Sequence, residues 1–503
     1  MDVFHSEAFS SKIKELMEEH HIPGFSIAVV HGDKVASTGY GYADAKSSKP
    51  CTADTLFDIA SSSKSLTAAA VALLVDDDEK YPEVKYEAIM SHLLPDDFVM
   101  PKAEYTESVT VEDILSHRSG MPRHDISYMG PRAAKPDDAR SITRNLRNLA
   151  VAAPLRVKHL YCNMMYTVAA HLVEVKTQQS FSSFLEERFF RPLGMESTSV
   201  QPARARAKGF GDRIATGYYW DEEKSTYRGF EPPDCPEGEG AGSIVTSAND
   251  FIKWVKALLH HEGPINKEVY KGLVRLRSIA NPDAVRLGPF ESPGFYAAGL
   301  EVYYYRGYTV VGHDGMISGF KSQFFFLPEL DFGVAMLANT SSEDESIRDF
   351  VRWELINAVL KARGEVPAKS STDKGEKKKK KESDDPKEKE EEQELQPQIT
   401  SLSAYVGRYW NPGYHSFTVQ IKDEKLFIDA SDRSFGFTLT FDHKSDQTKY
   451  VAHLQDIYEG EDEEIKAEFV FEGGRAVKLG ILFEPELEEE LIWFCKSEGD
   501  MDA

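Results

Sequence analysis

Four cysteines in 503 residues, at positions 51, 162, 235 and 495, are too few and too far apart to frame a fold. No CxxC pair occurs, which argues against a disulfide scaffold and a thiolate zinc site and leaves reduced thiols as the expectation. Long apolar runs are missing as well. No stretch of 18 apolar residues exists, so no helix is expected to span a bilayer. The opening "MDVFHSEAFSSKIKELMEEHHIPG" lacks a basic segment followed by an apolar one. It reads as an amphipathic helix rather than a secretory signal, and a cytoplasmic protein is expected. Basic charge is in short supply: 59 Lys and Arg face 83 Asp and Glu, for a net charge of −24. That balance excludes nucleic acid or an anionic membrane surface as the main partner.

What is present points to a soluble chain of at least two domains. With 41% apolar and 28% charged residues the composition is ordinary, and 503 residues exceed what one core organises. One segment separates itself. Lys374–Glu394 holds eight basic and nine acidic residues among 21 and cannot bury apolar surface. The expected division is a mixed domain over 1–365, a charged disordered linker over 366–400 and a β domain over 401–503. The linker is nearly neutral, so the acidity belongs to the folded parts.

In the first domain, "FSIAVVHGDKVASTGYGYA" alternates around a Gly-Asp turn, a hairpin pattern. Helical runs follow after Ser61, near Thr110–His117, Met165–Lys176 and Ala248–His260. Strand-like runs return in "LEVYYYRGYTVVGH" and "SQFFFLPELDFGVAMLAN", and a last helix covers Ser346–Arg363. Strands at both ends with helices between predict an α+β fold: one antiparallel sheet whose first and last strands meet, flanked by helices, with a helical lobe inserted. Residues 402–496 alternate in short runs with regular turns, which predicts a small barrel or sandwich.

The chemistry starts at "LFDIASSSKSLTAAAVALLV", where four polar residues stand at the entry to an apolar helix. Ser61 and Lys64, three apart on a first helical turn, face the same way. A helix N-terminus stabilises an oxyanion, and a desolvated lysine can shuttle protons. Spacing alone does not single the pair out, because Ser11–Lys14, Ser318–Lys321 and Ser371–Lys374 repeat it. A proton acceptor could come from Tyr161-Cys162-Asn163, and a strand edge from His313-Asp314-Gly315. Each has a double: Tyr409-Trp410-Asn411 and His261-Glu262-Gly263.

Order and context choose among them. "FDIASSSKS", "VTVEDILSHRSGMP", "HLYCNMMY", "FRPLGMESTS", "EGAGSIVTSANDFIKWVKALL" and "GHDGMISGF" follow one another as do the landmarks of the serine β-lactamase-like family. The chain resembles that family, which includes class C β-lactamases, DD-peptidases, D-aminopeptidases and related esterases and acyltransferases. The resemblance covers roughly residues 8 to 365 and implies a β-lactamase/transpeptidase-like fold. It implies Ser61 as nucleophile and Lys64, Tyr161 and His313 as its catalytic companions. Tyr161, as a phenolate or strongly hydrogen-bonded phenol beside Lys64, is expected to take the Ser61 proton. Asn163, Gly315 and Met316 are expected to contact substrate or the oxyanion. No metal and no organic cofactor is called for. The expected substrate is a small-molecule ester or amide, attacked to give an acyl-enzyme that passes to water or another acceptor. A D-amino-acid-specific peptidase or amidase is the rival chemistry, and a scaffold or filament that keeps the fold is the rival outside chemistry. The C-terminal domain resembles the lipocalin-like barrels that follow this domain in some relatives, where it would cover the site or mediate homo-oligomerisation.

Departures from the pattern are specific. His313 stands where class C β-lactamases have lysine, and Asp314 is its neighbour. Both disfavour a substrate with a free carboxylate, unless Asp314 points away as alternate strand residues do. Met164 and Met165 follow the Tyr-x-Asn triplet where the family often has glycine.

Overall fold

The computed structural model describes residues 1–365, 396–460, 462–488 and 490–497. The charged linker expected over 366–400 therefore lies, up to residue 395, outside the described residues. The chain divides into two compact units. The first is Met1–Asp349 with the short stretches Ser431–Gly436 and Glu486–Glu488, and the second takes the rest of the described chain.

The first unit is built on a nine-stranded antiparallel sheet. Its main strands are β1 (Gly24–His31), β2 (Lys34–Asp44), β3 (Phe295–Tyr296), β4 (Glu301–Tyr305), β5 (Tyr308–Ile317), β6 (Phe320–Leu327) and β7 (Phe332–Ala338). In space the order is Lys49–Pro50, β2, β1, β7, β6, β5, β4, β3, Ser278–Ile279. The expected meeting of first and last strands is present, with Ile27 opposite Met336 and Val29 opposite Val334. β1 and β7 are buried along nearly their whole length and read as continuous apolar runs, because both faces of the sheet centre are covered.

The helices that cover the sheet follow from local signals. Helix α1 (Glu7–Glu19) is capped by Ser6, whose hydroxyl accepts from the Phe9 N–H, and buries Phe9, Ile13, Leu16 and Met17 at helical spacing. Helix α2 (Lys64–Asp76) is buried all round from Lys64 to Leu74, so it is the central helix of the inserted lobe. Helix α3 (Asn163–Thr177) is nearly as buried. Helix α4 (Ala248–His260) is capped by Ser247 and turns Phe251, Trp254, Val255 and Leu258 into the core. A Cβ on Gly333 of β7 would lie 2.7 Å from Val255, which is how closely that helix approaches the sheet. The last helix, α5 (Ser346–Ala362), ends one residue short of the expectation.

The second unit resolves the choice between barrel and sandwich. Eight antiparallel strands, β8 (Gly407–Asn411), β9 (His415–Lys422), β10 (Lys425–Ala430), β11 (Phe437–Ser445), β12 (Lys449–Asp456), β13 (Asp462–Glu472), β14 (Arg475–Ile481) and β15 (Ile492–Lys496), pair in sequence order and close into a barrel. Tyr409 opposite Lys496 and Trp410 opposite Cys495 make the closure. Closing removes both sheet edges, so no backbone row is left to pair with another chain. Alternate residues fill the interior, and Phe417 meets Phe494 with ring centroids 5.0 Å apart.

Candidate active site

The site begins with a sharp turn. A two-residue strand, Phe57–Asp58, ends against Ile244–Thr246, and the Ile59 N–H donates to the Ile244 carbonyl at 2.9 Å. Asp58 then accepts from the Ala60 N–H at 2.7 Å, and Ala60 sits at φ 44°. This left-handed residue is costly for anything but glycine, and such strain persists only where surroundings impose it. Burial raises the Asp58 carboxyl to about 6. Ser61 follows in a 3₁₀ turn, Ala60–Ser63, and the α-helix opens at Lys64. The expected position of Ser61 on the helix's own first turn is thus corrected by one tight turn. The cause is the tethering of this segment: Ser322 Oγ donates to the Ile59 carbonyl at 2.7 Å and meets Ser62 Oγ at 2.7 Å.

Lys64 is fully buried and its Nζ has three partners: Ser61 Oγ at 2.9 Å, Asn163 Oδ1 at 2.8 Å and the Ala241 carbonyl at 2.8 Å. None is charged. Burial lowers the ammonium to about 7, Asp125 pulls it partly back up, and Arg123 pushes it down. A neutral amine there spends its two N–H groups on Asn163 and Ala241 and turns its lone pair to the Ser61 hydroxyl. The Ala241 carbonyl is delivered by a turn at Gly240, which has φ 88°. A Cβ on Gly240 would stand 2.3 Å from the Tyr166 carbonyl, so only glycine fits.

Tyr161 precedes α3, and the Ser61 hydroxyl lies close enough to its phenol to offset part of the effect of burial. The Lys64 Nζ stands over its ring, 4.9 Å from the centroid, and the Arg123 guanidinium lies 5.1 Å from that centroid. Burial pushes the phenol well above its usual value, so the phenol and not the phenolate is the favoured form of Tyr161. Behind it lie His117 and Tyr296. His117 Nδ1 accepts from the Cys162 N–H at 3.0 Å, and its ring centroid is 4.2 Å from that of Tyr161. Cys162 itself is buried.

His313, Gly315 and Met316 come from β5. The hairpin between β4 and β5 turns at Arg306 (φ 53°) and Gly307 (φ 86°), a two-residue turn of the primed type, and Tyr305 pairs with Tyr308. Antiparallel alternation then directs the backbone groups of residues 308, 310 and 312 to β4. β4 begins at Glu301 opposite Gly312, so the backbone groups of Asp314 and Met316 face the edge that β4 leaves open. Gly315 is required by close approach: its Cβ would lie 2.2 Å from the Ile59 carbonyl, on the turn that holds Ser61.

His313 is buried, and burial lowers its imidazole to about 4, with the Lys64 charge acting in the same direction. Its Nδ1–H donates to the Asp314 carbonyl, so its Nε2 accepts from the Tyr296 hydroxyl at 2.8 Å. Both ring nitrogens are therefore engaged within the protein. Gln323 and Arg348 hold the Asp314 carboxylate, and all three residues line the same cavity as Ser61.

Ser61, Tyr161, His313, Gly315 and Met316 line one cavity of about 340 Å³, together with Arg123 and Glu301. Lys64 and Asn163 do not line it and join it through Ser61, whose Oγ is 2.9 Å from the Lys64 Nζ that Asn163 Oδ1 also meets at 2.8 Å. All seven residues expected from the sequence come together. The two doubles belong to other elements: Tyr409-Trp410-Asn411 is part of barrel strand β8, and His261 caps α4 with a left-handed φ of 56°. Sequence reading missed Arg123, Asp125, Ala241, Tyr296 and Glu301. Arg123 and Asp125 follow "SHRSGMP" directly, and a charged pair just past that landmark was the available signal. Ala241 acts through its carbonyl and carries none.

Among the described residues no helix is long and apolar enough to cross a membrane. The family described as Beta-lactamase matches residues 9–358, and a domain of unknown function, DUF3471, matches residues 391–496. The chain is 33% identical to the unguisins hydrolase ungD' of Aspergillus campestris, over 98% of this chain and 92% of that protein. In fold it is similar to the octameric penicillin-binding protein homologue of Pyrococcus abyssi, with a TM-score of 0.59 and 22% identity over 98% of this chain and 100% of that one. A class C β-lactamase of Rhodobacter sphaeroides gives 0.55 and 22% over 71% of this chain and 100% of its own. With the family matched over residues 9–358 and the site's elements in family order, the chain belongs to the β-lactamase family of hydrolases.

Proposed function

We propose that the protein is a serine hydrolase or acyltransferase that works through an acyl-enzyme at Ser61 on an ester or amide of a small molecule. One observation carries this reading: Ser61 Oγ lies 2.9 Å from Lys64 Nζ, fully buried among uncharged partners, and burial lowers that ammonium to about 7, so that a large share of it is neutral at pH 7. Lys64 takes the Ser61 proton as Oγ forms its bond to the carbonyl carbon, and the carbonyl π pair moves to oxygen. The Ser61 and Met316 N–H groups receive that oxyanion. As it collapses, the bond to the leaving alcohol or amine breaks, and the Tyr161 phenol supplies the proton. The acyl-enzyme then holds Lys64 as the ammonium and Tyr161 as the phenolate, poised to return one proton to Ser61 Oγ and to take one from water. Water then enters by the reverse sequence and frees Ser61. In this scheme His313 braces the strand edge rather than moving protons, because its two nitrogens are already taken.

The hydrolytic outcome is supported by the relative named for hydrolysis of unguisins, which aligns with nearly the full chain. A neutral His313 leaves the third motif with no cation of its own for a free carboxylate, and the cations lining the cavity are Arg123, Lys321 and Arg348, the last paired with Asp314. Self-association belongs to the same proposal, on the precedent of the octameric archaeal homologue. We also assign the hydrolase to residues 1–365 and the barrel to 401–503, a division that limited proteolysis tests.

Mass mapping after a fluorophosphonate probe tests the nucleophile. The expected adduct is on Ser61, and hydrolysis of a panel of nitrophenyl esters, D-aminoacyl anilides and a cephalosporin then assigns the substrate class. Folded protein that stays unlabelled at Ser61 by several warheads would favour a scaffold and overturn the reading.

A further inference from the structure

Behind Asn163 sits a carboxylate that no role yet explains. The loop after Gly120 turns at His124 (φ 49°), whose Nε2 is held by the Ala150 carbonyl at 2.8 Å, and a 3₁₀ turn opens at Asp125. Asp125 accepts from Asn163 Nδ2 with both oxygens, at 3.1 and 3.0 Å, and the Arg123 guanidinium lies 3.8 Å away. The same Asn163 presents Oδ1 to Lys64 Nζ at 2.8 Å. Carboxylate, amide, amine and serine hydroxyl thus form one line.

The line fixes the amide. Turning Asn163 over would set its carbonyl oxygen against the Asp125 carboxylate and its NH2 against the Lys64 amine. The first contact is repulsive. The second has a worse consequence for the chemistry. The Lys64 lone pair would accept from the Asn163 NH2 instead of the Ser61 hydroxyl, and the base would be capped.

We propose that Asp125 is a positioning residue that locks Asn163 with its oxygen toward Lys64 and so keeps the Lys64 lone pair on Ser61. This rests on the reading of Lys64 as base. Asp125 touches neither Ser61 nor the reacting carbon and acts only through Asn163. Its function is orientation, so an uncharged acceptor of the same shape preserves most of it.

The experiment is inactivation of the full-length protein by a fluorophosphonate, in which Ser61 Oγ bonds to phosphorus, fluoride leaves with the P–F pair and the serine proton goes to Lys64. The limiting rate kinact and the half-saturation KI are measured separately. Asp125→Ala is expected to lower kinact by about 10- to 100-fold, the range for partners that orient a reacting group, with KI within about threefold. Asp125→Asn, whose oxygen still accepts from Asn163, is expected to stay within about fivefold of the parent. In an Asn163→Ala background, Asp125→Ala is expected to add less than about twofold, because the residue it acts through is gone.

Equal losses from Asp125→Ala in both backgrounds would overturn the assignment. Should Asp125→Ala fail to fold, Asp125→Leu decides, since it is of similar size and offers Asn163 no acceptor: kinact is expected to fall by about 10- to 100-fold. A rate within about fivefold of the parent overturns the assignment. Retained kinact in Lys64→Met removes the base and this proposal with it. A Lys64→Met loss beside additive Asp125 and Asn163 losses removes Asp125 alone.

Discussion

Two Tyr-x-Asn triplets in this chain have the same residue types, and each tyrosine ring lies under a lysine ammonium. Lys64 stands 4.9 Å from the Tyr161 centroid, and Lys496 stands 5.5 Å from the Tyr409 centroid. What differs is where the polar tips end. The Tyr161 phenol reaches a serine that lines a cavity. The Tyr409 phenol donates to the Tyr405 carbonyl at 2.6 Å and is saturated there. Asn163 spans a carboxylate and an amine, whereas Asn411 closes a hairpin, accepting from the Gly413 and Tyr414 N–H groups. Lys64 is wholly desolvated and shares its serine with the tyrosine. A triplet is chemistry only when its hydrogen-bonding capacity is left open toward a cavity and a base.

The contrast breaks most decisively at the nucleophile. Ser61→Ala is expected to abolish the adduct and lower kcat by about 10⁶-fold, the scale for removing a serine nucleophile. Lys64→Met is expected to cost about 10² to 10⁴, the usual contribution of a positioned base. The parent also carries a pH signature. An ordinary lysine titrates near 10.4, and this one is lowered to about 7. The reactive form is the neutral amine, so activity is full above that value and falls as pH drops through it. Between pH 8 and 6 the neutral fraction declines from about nine-tenths to about one-tenth. A pH–rate profile flat down to pH 5 would remove Lys64 as base.

Tyr161→Phe sharpens the comparison itself. Loss of the proton donor is expected to cost about 10² to 10⁴ in kcat for an amide and less for a nitrophenyl ester, whose leaving group needs no proton. Equal losses on both substrates would place Tyr161 outside leaving-group protonation. Gly315→Ala is expected to cost about 10- to 10³-fold in kcat, because a Cβ 2.2 Å from the Ile59 carbonyl must push β5 and the Met316 N–H off the turn that carries Ser61. Unchanged kcat would show that the strand edge supplies no oxyanion donor.

How much of this was legible in the sequence follows from what each part depends on. Ser61, Lys64, Tyr161 and Asn163 could be found because six landmarks fix their order, and α2 and α3 open where those residues stand. Spacing alone gave four equivalent Ser-x-x-Lys pairs. The 3₁₀ turn before Lys64 was not legible, since it is imposed by Ser322 and by the Ile244 carbonyl, residues remote in sequence. Of the serines in "SSSKS", only Ser61 lines the cavity. Ser62 ties to Ser322, and Ser65 accepts from the Trp254 indole at 3.0 Å. Arg348 as partner of Asp314 was out of reach for the same reason, as was barrel closure, which rests on Trp410 meeting Cys495. Alternation predicts strands and says nothing of which distant strand completes the ring.

The smallest expected effect is the control that the comparison demands. Tyr409→Phe removes one hydroxyl from the barrel interior and its bond to the Tyr405 carbonyl. The loss is expected to be about 1 kcal/mol of stability, the net worth of one hydrogen bond, seen as a modest drop in the unfolding midpoint. Acylation of Ser61 should be unchanged, because that hydroxyl is spent on a backbone carbonyl within the barrel. Should Tyr409→Phe slow acylation as much as Tyr161→Phe does, the two triplets would be functional equals, and saturation by a backbone carbonyl could no longer explain why one is chemistry and the other is packing.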